Sequence, residues 1–263
     1  MNEYVPNANN SHMQKLLIAA LCVWVLVPAS GAEVLIVADE FPAMRVLAGK
    51  LKEYEGLEGK IVKQTEMPAD LAGYQAVIVY IHMRLNAEAE QAFITYATNG
   101  GRLVCLHHSI SSGKRTNANW FAFLGVDLPK KSVEQGGYKW IEGVEWDVVN
   151  LAGGHPVTTR GVKYEKNIPF TRENGAQETL PGFHLRESEV YLNHVLIGPR
   201  TILLGMKYTG ADGKVWMQER AGWCKPAGKG WLFYFMPGHS VLEFENPAYT
   251  RIIANAIVWR PQP

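Results

Sequence analysis

The sequence predicts an α/β fold, a flavodoxin-like, doubly wound and mostly parallel sheet with helices on both faces. Two observations carry that expectation. Short runs such as residues 34–37 and 76–81 are apolar throughout and rich in β-branched residues, as strands buried on both faces are. Amphipathic stretches at helical spacing lie between them, and strand–helix–strand repetition marks a parallel sheet covered by helices. The composition agrees: 263 residues, 47% hydrophobic and 19% charged, exclude a disordered or fibrous chain. Lys and Arg total 26 against 25 Asp and Glu, so a formal charge of +1 gives no electrostatic reason to expect nucleic acid as a partner.

Taken in order, the first segment is a targeting signal. Met13, Gln14 and Lys15 form a short basic start, residues 16–27 are apolar, and residues 28–32 supply a small-residue cleavage site. A permanent span needs about 20 apolar residues, and this run is shorter. Residues 1–32 therefore read as an extension plus a secretory signal. The expected location is secreted or periplasmic, with no permanent membrane span. One domain then covers residues 33–263.

Within it, residues 33–39 form a strand, and Met44, Leu47, Leu51 and Tyr54 mark a helix that Gly56 stops. Residues 60–64 and 76–81 are the next strands. Leu85, Ala89, Phe93 and Tyr96 stripe a second helix, opened by Asn86 and closed by Asn99, Gly100 and Gly101. Residues 102–107 follow as a strand. The middle, residues 127–214, is richer in Gly, Pro and polar residues, and predicts a loop-rich insertion over the sheet's carboxyl edge. Strands return at 215–219 and 231–236, with a turn at 225–230. Asn246 and Pro247 open a last helix.

Ligands bind at the carboxyl ends of parallel strands. Three such ends carry reactive side chains: Asp39-Glu40, His107-His108-Ser109 and Gly238-His239. Cys105 lies inside an apolar strand and reads as a small core residue. No P-loop, G-x-S-x-G elbow, G-x-G-x-x-G, C-x-x-C or H-E-x-x-H helix is present.

Those residues sit in a longer pattern. The run from Gly100 through Ser109 resembles the GGGLVGLHxA segment of the ThuA (trehalose-utilisation) family. Asn119-Trp120, Phe123-Leu124-Gly125, the run from His155 to Gly161, Glu189-Val190-Tyr191, the run from Gly228 to Tyr234, and Gly238-His239 continue the match in order. The resemblance implies a scaffold similar to class I glutamine amidotransferases. It does not imply their chemistry, because the elbow that would hold a catalytic Cys falls at or near His107. Two positions depart from the family pattern: Ser188 replaces the usual Asp, and Trp231 a common Arg.

The resemblance implies a carbohydrate or modified sugar as the small-molecule partner. Imidazoles shuttle protons near neutral pH, and a carboxylate can complement them. His107, Glu189 and His239 are thus the expected catalytic groups, for hydrolysis, elimination or isomerisation. His108, Trp120, His155, Tyr191 and Asp39 are the expected substrate contacts. The alternative is a non-catalytic sugar-binding or interaction module on the same fold, and either reading is compatible with a homo-oligomer. No cofactor is required by the spacing, although His107, His108, His155, His239 and carboxylates could assemble a divalent metal site. Replacing His107 or His239 by Ala is expected to cost stability on the order of 1 kcal/mol.

Overall fold

The computed structural model describes residues 1–3 and 33–261, so the expected signal segment lies outside the described residues. The first half builds as the periodicity dictates. β1 (Glu33–Ala38), α1 (Pro42–Glu55), β2 (Glu58–Val62), β3 (Ala76–Tyr80), α2 (Ala87–Thr98) and β4 (Arg102–Leu106) follow one another. Gly56 caps α1 in the left-handed conformation, and the Asn86 side chain accepts the Ala89 amide at 2.7 Å to open α2. β2 starts two residues before its expected position, because it pairs with β1 from Glu33 against Glu58 and a turn closes at Lys63 to Glu66.

The middle differs from the expectation. After α3 (Trp120–Leu124) and β5 (Val126–Asp127) come β6 (Lys139–Asn150), α4 (Pro156–Thr159), β7 (Lys166–Thr171), β8 (Gln177–Leu192), β9 (Val195–Leu196) and β10 (Thr201–Thr209). β6 and β8 are 12 and 16 residues long, and they join the same sheet. Their outer stretches are solvated, so polar residues populate true strands there. β11 (Val215–Ala227) runs through the expected turn region as far as Ala227, and β12 (Gly230–Phe235) returns after a tight hairpin. α5 (Val241–Glu245) and α6 (Pro247–Val258) complete the chain, with Asn246 accepting the Ala248 and Tyr249 amides.

The result is an α/β protein on one mixed ten-stranded sheet, ordered β2-β1-β3-β4-β12-β11-β10-β6-β8-β7. Pairings from β2 to β12 are parallel, and those from β12 to β7 are antiparallel. Fully buried Val34–Val37, Ala76–Val79 and Leu103–Leu106 form the floor of the core. Cys105 and Cys224 are buried and free, and burial pushes both thiols up. No helix among the described residues is long and apolar enough to cross a membrane.

Candidate functional site

The parallel strands end where β4 gives way to a short 3-10 turn, and that turn begins at His107 with φ 37°. A positive φ on a non-glycine residue is strained and concentrates at functional elbows. Here it turns the imidazole under the β12 end. The neighbouring Gly238 leaves room for it, since a Cβ at 238 would stand 2.9 Å from the His107 Cβ. His107 Nδ1 lies 2.6 Å from the Met236 carbonyl oxygen, which can only accept, so Nδ1 carries a proton. Nε2 meets Glu189 Oε2 at 2.8 Å.

Glu189 arrives from the antiparallel half. Register shifts between β6 and β8 fall at Glu142 to Trp146, and Glu187 adopts φ 49° beside them. Such bulges re-aim side chains. Downstream of this one, Glu189 and Tyr191 share a face, and the Tyr191 hydroxyl donates to Glu189 Oε2 at 3.2 Å. His108 Nε2 and His239 Nδ1 approach the same oxygen at 3.5 and 3.4 Å. The His239 contact lacks hydrogen-bond alignment, which leaves Nδ1 buried and without a partner.

These contacts separate the titrating groups. Burial opposes charge on Glu189, but the contacts from His107, His108 and His239 outweigh it and hold the carboxyl well below its ordinary range. His108 is pushed down to about 3, first by burial and then by the His107 charge. His239 is raised by its Glu189 contact, with Glu243 and Glu142 adding to the effect. Ligand atoms of His107, His108, Glu189 and His239 all lie within 4.8 Å of one another, so this set could also hold a metal ion.

Above the cluster opens a cleft of about 230 Å³, lined by His82, His108, Trp140, Glu142, Glu189 and His239 among others. His107 is fully buried beneath it. Tyr191 lines the cleft and stacks on His107, with ring centroids 5.0 Å apart.

Three expected contacts fall elsewhere. Trp120 is buried, donates Nε1 to the Ser109 carbonyl at 2.8 Å and packs on Phe93, so it is core rather than a sugar platform. His155 caps α4 and packs on Trp259, which itself meets Trp231 near the amino end of β12. That is the edge of the sheet opposite the cleft. Asp39 does not line the cleft, but its carboxylate accepts the His82 amide at 2.8 Å and the Met83 amide at 3.3 Å. From the other side buried Lys114 donates to the Ile81 and His82 carbonyls at 2.7 and 2.9 Å. Asp39 and Lys114 thus clamp the loop that carries His82.

Several site residues escaped the sequence reading. His82 stacks on His108 at 4.1 Å and lies two residues past the end of β3, so the strand-end rule applied to every strand would have found it. Glu243, almost fully buried, accepts the Gly238 and His239 amides and the Ser188 hydroxyl, which in turn accepts Trp146 Nε1. Its signal was the Ser240-x-x-Glu243 capping pattern. Trp140 stands on a solvated strand, 49% exposed, and nothing in the sequence marked it.

A profile of the ThuA family, described as trehalose utilisation, matches residues 37–260. The chain belongs to the ThuA family. The ThuA-like protein from Bacteroides uniformis is 18% identical over 87% of this chain and 91% of that one, with a TM-score of 0.60. The similarity is one of fold. A glutamine amidotransferase from Thermotoga maritima is 8% identical over 86% of this ThuA chain and 94% of that one, with a TM-score of 0.43. A β-galactosidase from Rahnella sp. R3 is 13% identical over 84% of this chain but only 30% of its own, with a TM-score of 0.44. No curated protein matches the sequence.

Proposed function

We propose that this ThuA-family chain is an exported enzyme that acts on a carbohydrate or modified sugar by acid–base catalysis, through hydrolysis, elimination or isomerisation. The observation that carries the reading is the meeting of three imidazoles at one carboxylate oxygen, Glu189 Oε2, at the floor of an open cleft. Groups whose environments push their proton affinities apart serve as complementary acid and base. His239, whose proton affinity is raised by its contact with Glu189, is the acid; His108, which burial and His107 keep neutral, is the base. Glu189 stabilises the charge on His239. His107, with no access to the cleft, is a positioning residue that locks Glu189 in place. Trp140 offers the apolar ring face that a sugar stacks on, and the apolar segment 16–27 supports delivery outside the cytoplasm.

The test is incubation of the purified protein with trehalose, other disaccharides and their 3-keto forms, with products read by mass. Conversion is expected, and His239→Gln and His108→Gln are each expected to slow it by about 10²–10⁴-fold with the fold intact. Binding without conversion would leave a non-catalytic sugar module. Neither binding nor conversion would end the carbohydrate reading.

A metal centre is the second reading, and one observation favours it. His107 donates Nδ1–H to a backbone carbonyl while Nε2 points into the cluster, the way metal-ligating imidazoles are oriented. Three imidazole nitrogens and one carboxylate suit zinc or another first-row divalent cation. Such an ion, bound by His107, His108, Glu189 and His239, would supply Lewis acidity toward a substrate oxygen. Elemental analysis of protein prepared without chelator separates the two. Near-stoichiometric metal supports the second reading, and undiminished turnover after metal removal excludes it.

A further inference from the structure

The cleft does not end at Trp140. Ser112, Tyr138 and Trp140 also line a second groove, of about 590 Å³, which therefore adjoins the first across these three side chains. Its other walls are Arg115, Lys130, Lys131, Lys139 and Pro129. Four cations line it and no carboxylate does. None of the four is in an ion pair among the described residues. Glu134 is within electrostatic reach of Lys139 but lines no part of the groove. In a chain of formal charge +1, this is a local concentration of positive charge rather than a basic protein.

The groove is also built, not merely a patch of loose lysines. Arg115 donates to the Leu128 carbonyl at 2.8 Å and lies 5.9 Å from the Tyr138 ring centre, which fixes its guanidinium beside the opening. The loop that carries Lys130 and Lys131 is closed by the Tyr138 amide on the Pro129 carbonyl at 2.9 Å and the Gly137 amide on the Ser132 carbonyl at 2.7 Å. Gly137 is obligatory there, since a Cβ would stand 1.8 Å from the Lys131 carbonyl oxygen. The chain then passes straight into Lys139 and Trp140 on β6.

Resting on the carbohydrate reading above, we infer that the substrate is an anionic saccharide. Its reacting unit sits over Glu189 and His239, and a carboxylate, phosphate or sulfate on the same or the next unit is held by Arg115, Lys130, Lys131 and Lys139. The cleft itself is lined by Glu142, whose carboxylate opposes an anion there while the groove attracts one, so the two also set the direction in which the substrate lies.

The experiment measures binding by calorimetry, at low salt, of glucose, glucuronate, glucose 6-phosphate and glucose 6-sulfate, and of inorganic phosphate and sulfate alone. At least one anionic sugar is expected to bind about tenfold or more tightly than glucose, and to lose that advantage in about 0.5 M NaCl, where exposed charges are screened. The variant Lys130→Glu/Lys131→Glu, both residues exposed, is expected to abolish the preference and leave glucose binding unchanged. Which anionic sugar wins identifies the group. Equal binding of neutral and anionic sugars overturns the inference while the carbohydrate reading stands. A preference that survives the double variant, or inorganic phosphate or sulfate binding as tightly as the anionic sugars, also overturns it. Failure of every sugar to bind overturns both.

Discussion

His107 and His239 face one site, with ring centroids 5.6 Å apart, yet they are not equivalent residues. The sequence treats both as exposed strand ends of small structural cost. In the fold, His107 is fully buried and bonded at both nitrogens, whereas His239 has a side chain 29% exposed. Removing His107 leaves the Met236 carbonyl and Glu189 short of a donor, and an unmet buried group costs about 1–3 kcal/mol. His107→Ala is therefore expected to lower stability by about 2–4 kcal/mol and His239→Ala by about 1 kcal/mol or less, read from urea unfolding of the two variants. The acid–base assignment has its own signature. His108 is already neutral above about 3, so kcat/KM should hold level through neutral pH. It should fall as pH rises through the elevated value of His239, which Glu189, Glu243 and Glu142 support. His239→Gln should erase that alkaline limb from the residual rate; an unchanged limb would assign it to another group.

Between β8 and α5 runs the element that aims His239. Trp146, Ser188 and Glu243 form a chain that ends on the Gly238 and His239 amides. Burial raises the Glu243 carboxyl, so it has little tolerance for a second negative charge. A serine at 188 can donate to it, and an aspartate cannot when ionised. Ser188→Asp is accordingly expected to destabilise the protein by about 2–4 kcal/mol and to weaken sugar binding, whereas Ser188→Thr, which keeps the donor, should retain the binding. Equal binding by all three proteins would detach this chain from the site. The same elements show what the sequence could reveal. Asn86, Gly56 and Asn246 announce helix ends by local chemistry, and three of the four strand ends at the site were legible from apolar runs. β6 and β8 were not. They are half solvated, a bulge breaks their alternation, and Pro181 and Gly182, residue types that favour turns, stand inside β8. Glu189 was found by family resemblance; the kink that brings it to His107 has no local signature.

For the molecule as a whole, buried neutral histidines set the response to acid. His108 and His194 are both pushed down to about 3, by burial first, then by His107 for the one and Arg220 for the other. Unfolded histidine titrates near 6.5. Between those values the unfolded chain binds more protons, so stability falls as pH drops below about 6.5. His239, raised in the fold, acts at the other end: its contribution is complete below about 6.5 and fades as pH rises through its folded value. Near pH 5 the two buried residues alone should give a slope approaching about 2–3 kcal/mol per pH unit. Urea midpoints at several pH values measure it, and His194→Asn should take away about half of the slope.

Glu189 belongs to β8, and three strands, β11, β10 and β6, separate it from the β12 end that carries His239. Its bond to His107 spans 82 positions of chain, and the His107 bond to Met236 spans 129. Contacts of such long range close large loops and form late. Strands β1 to β4 and their helices can assemble through nearer contacts, but the cluster around Glu189 cannot form until both β8 and β12 have joined the sheet. Refolding from urea should therefore recover its helical signal first and its affinity for sugar last. A chain arrested partway would look folded by its spectrum and be inert by its chemistry.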